Sequence, residues 1–222
     1  MRFLFYITII LYSFSTFSQE SDKNELLKKG NEAYMSNDFE TADKLYSKVL
    51  QSDSTNVDLI FNLALTKLNL GKKTNGCELL QKAYKLRDEE AGELILEHCG
   101  EIEYNENMFT KDVDELPKFK IDDKTYDLIT EDGINKILFR RLKKRFARSS
   151  AIKNIGKGKI FVMFKIHIDG NIESRVTGPN SSLEVNREIN RLLKDIAVYI
   201  PCQYKNKPVG MFNSIWLPIE FN

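Results

Sequence analysis

The alternating segment at residues 158–172, GKIFVMFKIHIDGNI, constrains the fold of this chain more than any other stretch. Side chains of a β-strand point alternately to its two faces, so this pattern gives the strand one apolar face. That face carries Ile160, Val162, Phe164, Ile166 and Ile168. The triplet Asp-Gly-Asn at 169–171 accepts positive φ and suits a tight turn, after which residues 172–177 return antiparallel. The sequence therefore predicts a half-buried β-hairpin.

A helix and a last strand are predicted after this hairpin. Ser181-Ser182-Leu183-Glu184 has the pattern of a capping box. The helix that follows has an apolar stripe formed by Val185, Ile189, Leu192 and Ile196. A turn at residues 205–208 then leads into a strand predicted from Val209 to Phe221. We expect this strand to lie antiparallel beside the first one, in the order two, one, three, with its outer edge open. Pro218 fits an edge because it has no N–H to donate.

The first 18 residues have the features of a signal peptide. Arg2 is followed by an apolar run at residues 3–12, and Thr16 and Ser18 allow cleavage before Gln19. The alternative is a retained membrane anchor, but the apolar run is shorter than the roughly 20 residues that span a bilayer. We therefore expect an exported chain whose formal net charge is near zero, which by itself indicates no particular partner.

The chain has an odd number of cysteines, which cannot all form disulfides within one molecule in an oxidising compartment. Cys77, Cys99 and Cys202 are three, so at least one is expected to be unpaired. Cys77 and Cys99 fall on neighbouring predicted helices, where they form either a disulfide or two buried thiols. No second pair of ligands stands at metal-binding spacing beside His98 and Cys99, so no metal site is predicted.

The sign of the charge reverses in the middle of the chain. Residues 101–132 contain 11 acidic residues and four lysines, and the segment 101–130 is predicted to be an acidic linker. Residues 133–168 contain no acidic residue and 11 lysines and arginines. We expect the acidic linker to lie at low salt over the helix that is predicted at the start of this basic segment.

An amphipathic helix is predicted at the start of the basic segment. Its apolar positions, spaced by four, are Ile134, Leu138, Leu142 and Phe146. Its solvent side carries a basic surface that consists of Arg140, Lys143, Lys144 and Arg148. This surface is interpreted either as a solvated face or as a contact for an acidic protein segment or membrane surface. Export argues against nucleic acid as the partner.

A repeat of 34 residues organises the first half of the chain. The register pairs Leu26 with Ile60, Gly30 with Ala64, Asn37 with Gly71, Ala42 with Gly76, Tyr46 with Leu80, and Val49 with Ala83. The segment GNEAYMSNDFETADKLYSKVLQSDSTN strongly resembles a tetratricopeptide unit, residues 57–88 resemble a second one, and residues 91–99 are predicted to form a capping helix. Residues 22–100 are thus predicted to be an all-α helical-repeat domain. It is interpreted either as a spacer or, as the resemblance implies, as a concave surface that docks a peptide or protein.

Residues 131–222 resemble the C-terminal domain of TonB-type energy transducers. The matching elements are Gly158-Lys159-Ile160, Asp169-Gly170-Asn171-Ile172, Leu183 with its helix, Asn206-Lys207-Pro208-Val209, and Leu217-Pro218-Ile219-Glu220-Phe221. The resemblance implies an α+β domain with the order helix, strand, strand, helix, strand and a three-stranded antiparallel sheet. It also implies that the open edge binds an extended segment of an outer-membrane receptor. The residues predicted to bind that partner strand are Val209, Met211, Phe212, Asn213, Ile215 and Trp216.

No catalytic arrangement is recognisable in the sequence. Ser-His-Asp, Cys-His and paired-carboxylate patterns are missing, and His98 and His167 are the only histidines. We predict neither enzyme activity nor a cofactor or metal. The preferred interpretation is an exported periplasmic adaptor of TonB-type transport machinery that binds one protein by strand addition and another through its repeats. The alternative is a true transducer anchored in the inner membrane by its N-terminus, and lipid or cell-wall binding through the basic helix is a third hypothesis.

Overall fold

The computed structural model describes residues 22–154 and 158–221, which form two compact units divided after Glu103. The described part of the first unit is helical, and the second unit contains the β-strands together with further helices. A helical first half followed by a strand-rich second half is therefore confirmed. The predicted signal peptide at residues 1–18 lies outside the described residues.

The first unit consists of successive helices joined by short turns. They are α1 (residues 22–35), α2 (Phe39–Ser52), α3 (Val57–Asn69), α4 (Lys73–Lys85) and α5 (Glu89–Leu94), which continues as a π-helical turn (Ile95–Cys99). Asn37 and Gly71, which are predicted turn residues, both adopt positive φ, of 60° and 70°. The Asp38 and Asn56 side chains accept hydrogen bonds from the first turns of α2 and α3, so each of these helices begins at a capped residue.

Small residues let the helices of the first unit approach closely. A Cβ atom at Gly30 would lie 2.7 Å from the Tyr46 ring, and one at Gly76 would lie 2.8 Å from the Leu68 side chain. The core around these contacts is apolar and includes Ala42, Tyr46, Val49, Leu59, Ile60, Leu63, Ala64, Leu80 and Ala83. Cys77 and Cys99 form a disulfide that joins α4 to the π-helical turn, with Cα atoms 5.7 Å apart. Of the two alternatives for this pair, the structure therefore contains the disulfide.

The second unit is built around the strand that the alternating segment predicts. This strand, β6 (Gly158–Ile166), pairs antiparallel with β7 (Ile172–Thr177) and with β11 (Ile215–Phe221), in the order β11-β6-β7. The helices of the unit are α6 (Lys136–Phe146), α7 (Ser150–Lys153) and α8 (Leu183–Ile196). The apolar face of β6 is buried, as are the predicted apolar stripes of α6 and α8 apart from Ile134. Ile168, predicted on the same face as Ile166, lies beyond the end of β6 and is partly buried. Ile134 lies before the helix, in a short strand, because Asn135 is the N-cap of α6.

The segment predicted to be an acidic linker is folded, so that prediction is wrong. It contains β1 (Asn107–Met108), a 3₁₀ turn (Thr110–Asp112), β2 (Lys118–Ile121), β3 (Lys124–Asp127) and β4 (Ile129–Thr130), which pairs with β5 (Gly133–Ile134). Strand β2 lies between β3 and β8 (Val198–Ile200). Met108, Phe119 and Leu128 are fully buried. These few apolar residues anchor a segment that, from its average composition, was expected to be exposed to solvent. Asp122, in the β2–β3 turn, forms an ion pair with Arg141 of α6, which is one contact between the acidic segment and the basic helix.

The prediction of one continuous strand from Val209 to Phe221 is also wrong. Strand β10 (Lys207–Met211) ends before residue 212, and β11 begins at Ile215 in a different sheet. Strand β10 pairs with β9 (Cys202–Tyr204) on one side and with β1 on the other. The Phe212 N–H donates to the Met108 carbonyl, and the Asn213 side chain exchanges hydrogen bonds with Thr110. These contacts hold the chain at β1 and separate the two strands.

The start of α8 differs by one residue from the predicted capping box. The N-cap is Ser182, whose hydroxyl accepts a hydrogen bond from the Val185 N–H at 3.1 Å. Ser181 instead donates to the Gly178 carbonyl. Val185 therefore occupies the N3 position, so Glu184 is not the reciprocal partner that a capping box requires.

Candidate functional site

The candidate site is the outer edge of β11. Among the described residues, β11 pairs with β6 on one side and with no strand on the other. Ile215, Leu217 and Ile219 are buried on the inner face of the sheet, while Trp216, Pro218 and Glu220 are exposed on the other face. The strand is thus anchored by its buried side chains, and one line of its backbone remains without a strand partner in the described chain.

The opposite edge of this sheet, at β7, has one of its outward amides engaged. The Val176 N–H donates a hydrogen bond to the Asn186 side chain of α8, at 3.1 Å. Helix α8 packs along β7. A guest strand at β7 would have to displace this hydrogen bond, so β11 is the more accessible edge for pairing.

The register determines which backbone groups of β11 point outward. Since the Val176 N–H bonds to Asn186 and not to β6, the opposite residue Val162 directs its backbone groups towards β11. Val162 lies opposite Leu217, so Leu217 bonds inward. Along an antiparallel strand these directions alternate, and the neighbours on either side of Leu217 therefore direct their backbone groups away from β6.

The free edge consequently offers an uneven set of hydrogen-bonding groups. Trp216 and Glu220 each present one N–H and one C=O, whereas Pro218 presents only a C=O because proline has no amide hydrogen. Pro218 thus removes one donor from the middle of the edge. A guest strand is expected to be tolerated here, while extended pairing with another identical edge is discouraged.

An apolar patch lies beside this edge on the outer face of the sheet. Trp216, which is 59% exposed, is opposite Met163, and Pro218 is opposite Phe161. Ion pairs border the patch, with Lys159 and Glu220 at 3.1 Å and Lys165 and Glu173 at 3.3 Å. Phe161 and Met163 belong to this surface but were not among the residues predicted from the sequence to bind a partner. The sequence does contain a signal for them, because the alternation along β6 puts both side chains on the face opposite the core.

The predicted partner-binding residues do not form one surface. Val209 and Met211 are buried in β10, which is paired with β9 and β1. Phe212 packs on the Phe109 ring at a centroid distance of 5.1 Å. Asn213 is bound to Thr110. Of the six, Ile215 and Trp216 lie on β11, and of these two only Trp216 is exposed.

The predicted basic surface lies on and just after α6. Arg140, Lys143 and Lys144 are exposed on the helix, and Arg148 is exposed beyond its end. Lys143 lies over the Phe139 ring at 5.0 Å. The Arg140 Nε donates to the Lys136 carbonyl at 3.3 Å. These contacts are local to the helix and leave its charges towards solvent.

The described residues contain no group of three or more His, Cys, Asp or Glu side chains suited to a metal ion. His167 lies 3.4 Å from Glu173, and His98 lies 3.7 Å from Glu97. Burial raises the pKa of the Cys202 thiol to about 11, which keeps it protonated at neutral pH. Cys202 is therefore a poor nucleophile.

No family model matches the chain, and no curated protein is significantly similar to it. Over residues 22–154 and 158–221, none of the helices has the length and hydropathy needed to cross a bilayer.

Proposed function

We propose that this chain is an exported, non-catalytic adaptor of TonB-type transport machinery. In this proposal, the outer edge of β11 binds an extended segment of a partner protein, such as an outer-membrane receptor, by strand addition. The observation that carries the proposal is the edge of β11, which has no strand partner among the described residues and is anchored by buried side chains. Main-chain hydrogen bonds would provide affinity, and alternate side chains would provide preference.

The edge geometry specifies what the guest segment needs. Guest residues opposite Trp216 and Pro218 lie on the outer face of the sheet, beside the apolar patch. A large apolar guest side chain opposite Trp216 would bury part of that exposed ring. The guest residue opposite Pro218 can donate its N–H to the Pro218 carbonyl, but its own carbonyl receives no hydrogen bond from Pro218.

The first unit supports a second binding role. Its successive helices resemble tetratricopeptide pairs in sequence, and close approach at Gly30 and Gly76 is compatible with such stacking. The Cys77–Cys99 disulfide supports export, because disulfides persist in oxidising compartments. In the adaptor function, residues 22–100 hold one protein while β11 engages another.

Crosslinking tests the β11 site. A photoreactive phenylalanine analogue is introduced in place of Trp216 in cells, and the same analogue in place of Val198 is the control. These side chains have similar exposure, 59% and 67%, and lie in different sheets. We expect a specific receptor segment to be captured from residue 216 only. Identical products from both positions would refute a site at β11.

Backbone methylation then tests the binding mode. Peptides from the captured segment are N-methylated at one residue at a time, and their affinities for the full chain are measured. Strand addition predicts loss of binding at alternate residues only, because only every second amide faces β11. Uniform tolerance of methylation would indicate that side chains alone mediate the contact.

A true TonB-like transducer retained in the membrane by its N-terminus is the second candidate. The retained-anchor interpretation of residues 1–18 favours it, since coupling to an inner-membrane complex requires an anchor. Mass spectrometry of the protein from cell fractions distinguishes the two. A mature N-terminus at Gln19 supports the adaptor, and an intact Met1 in the membrane fraction supports the transducer.

A further inference from the structure

An open groove lies between the end of α6, the short helix α7 and the exposed side of α8. Its volume is about 810 Å³, which falls within the range of ligand-binding clefts, roughly 300 to 1,000 Å³. Four arginines line it: Arg145, Arg148, Arg187 and Arg191. The lining carboxylates are Glu184 and Glu188. The groove therefore has an excess of positive charge. None of its lining residues belongs to β11.

The arginines differ in how they are paired. Arg191 binds Glu188 through two hydrogen bonds of 2.9 Å and binds Asp195 at 2.7 Å. Hydrogen bonds from Arg191 and Ser149 lower the pKa of the Glu188 carboxyl, so this glutamate is ionised and already engaged. In contrast, Arg145, Arg148 and Arg187 form no ion pair with any described residue.

Three unpaired guanidinium groups around one groove repel one another and gain most from an added anion. A guanidinium fork matches carboxylate oxygens in a bidentate geometry. The remaining lining is partly apolar, with Leu183 at 66% exposure together with Ala151 and Leu192. The site thus combines carboxylate recognition with contact for aliphatic side chains.

We propose that this groove binds an extended acidic peptide segment of a partner protein, with its carboxylates on Arg145, Arg148 and Arg187 and an aliphatic side chain against Leu183. The charge of the groove favours an anion, and its concave shape favours a peptide chain over the flat surface of a membrane. The exposed leucine favours a peptide over a simple inorganic ion. This site is separate from β11 and does not depend on the strand-addition proposal.

Fluorescence anisotropy tests the groove with the full chain. The probe is a labelled peptide of repeating Glu-Glu-Leu units, and the matched peptide has Gln in place of every Glu. We expect the acidic peptide to bind at least about tenfold more tightly than its neutral counterpart, and to weaken as salt rises. Equal affinity of the two peptides would overturn the proposal.

Variants locate the binding on the molecule. We expect Arg148→Glu with Arg187→Glu to weaken binding of the acidic peptide by about tenfold or more. The control, Arg140→Glu with Lys144→Glu, makes the same change in net charge on α6 away from the groove and is expected to leave the affinity within about threefold. Equal losses in both double variants would show a general electrostatic effect and overturn the groove as the site.

Further measurements close the remaining alternatives. Arg148→Gln with Arg187→Gln is expected to weaken binding as well, and circular dichroism reports whether each variant folds. Trp216→Ala is expected to bind the peptide normally, so failure of the β11 proposal is distinguishable from failure of this one. Two results would overturn the peptide as the occupant of the groove. One is displacement of the peptide by inorganic phosphate at an equal concentration of negative charge. The other is tighter binding of phosphatidylglycerol vesicles that depends in the same way on Arg148 and Arg187.

Discussion

Asp43 shows how one residue connects the helices of the first unit. Its carboxylate, on α2, lies 2.7 Å from Lys67 of α3 and 2.9 Å from Lys72, which precedes α4. Burial opposes ionisation of Asp43, but hydrogen bonds from the two lysines outweigh burial and hold the pKa of this carboxyl below its usual value. A single charge therefore links three successive helices.

Replacing Asp43 by Asn is expected to destabilise the chain by about 1 to 3 kcal/mol at pH 7. The lower end of this range allows for Lys72, which is half exposed and screened by solvent. Because the pKa of Asp43 is lower in the folded state, its contribution is full above the unfolded pKa of about 3.8 and is lost as pH falls through the folded value. Denaturant titrations at several pH values should show the two proteins converging in acid.

The control for this prediction is Glu78→Gln, which neutralises an exposed carboxylate on α4 of the same unit. It is expected to change the free energy of unfolding by less than about 0.5 kcal/mol. An Asp43→Asn effect that is constant down to the lowest pH would contradict the ion-pair explanation.

Gly170 is required at the β6–β7 turn for two reasons. Its φ is +78°, and a Cβ atom there would lie 2.6 Å from the backbone carbonyl oxygen of Tyr199. Gly170→Ala is expected to cost about 2 to 3 kcal/mol, measured by denaturant titration. Gly133→Ala isolates the conformational part, since Gly133 has φ of +98° with no atom within 4 Å of the added Cβ, and about 1 kcal/mol is expected. Equal costs would mean that the approach to Tyr199 relaxes freely.

At the scale of the elements, β11 combines a secure inner face with an incomplete outer edge. Its buried side chains resist detachment, while Pro218 interrupts the row of outward donors. Such an interruption is a common means by which edge strands avoid pairing with copies of themselves. The same residue that permits an edge position thus limits what can bind to it.

Pro218→Val is expected to promote self-association of the full chain, because it supplies the missing outward N–H and a side chain favourable in strands. Sedimentation velocity over a concentration series is the measurement. Pro208→Val is the control, since Pro208 lies in β10, which already pairs with β9. If both variants remain monomeric at concentrations where the parent chain is monomeric, the role assigned to Pro218 is wrong.

At the scale of the whole molecule, the chain consists of two compact units with different sources of stability. The first has a disulfide that closes a loop with a sequence separation of 22 residues, and the second relies on its sheets and helices. The third cysteine, Cys202, is buried and free. Redox conditions therefore act on the two units unequally.

Reduction of the disulfide is expected to destabilise the first unit by about 3 kcal/mol, because the open chain gains conformational entropy when unfolded. Hydrogen exchange with and without reductant should show faster exchange in α3 and α4 and little change in β6. The double variant Cys77→Ala with Cys99→Ala should be insensitive to reductant, whereas Cys202→Ala should keep the response. An equal acceleration in β6 would contradict a local effect.

Features that depend on short sequence distances were predictable from the sequence. The β6–β7 hairpin follows from alternation and an Asp-Gly-Asn turn, in which the Asp169 carboxylate accepts a hydrogen bond from the Asn171 N–H at 2.9 Å. The buried stripes of α6 and α8 follow from the helical period, and the turns at Asn37 and Gly71 follow from residues that accept positive φ. Each signal is contained within about a dozen neighbouring residues.

Only the tertiary structure decided how distant segments pair. The division of the predicted last strand depends on contacts such as that between Thr110 and Asn213, which are 103 residues apart. Strands β1 and β2 of the acidic segment likewise depend on partners near the C-terminal end of the chain. The average composition of residues 101–130 predicts a segment exposed to solvent, because the few buried apolar side chains contribute little to that average. Pairing between remote strands leaves no periodic pattern in the local sequence. The sequence alone therefore determined the hairpin and the buried helix faces, whereas the tertiary fold determined that the outer edge of β11 remained open.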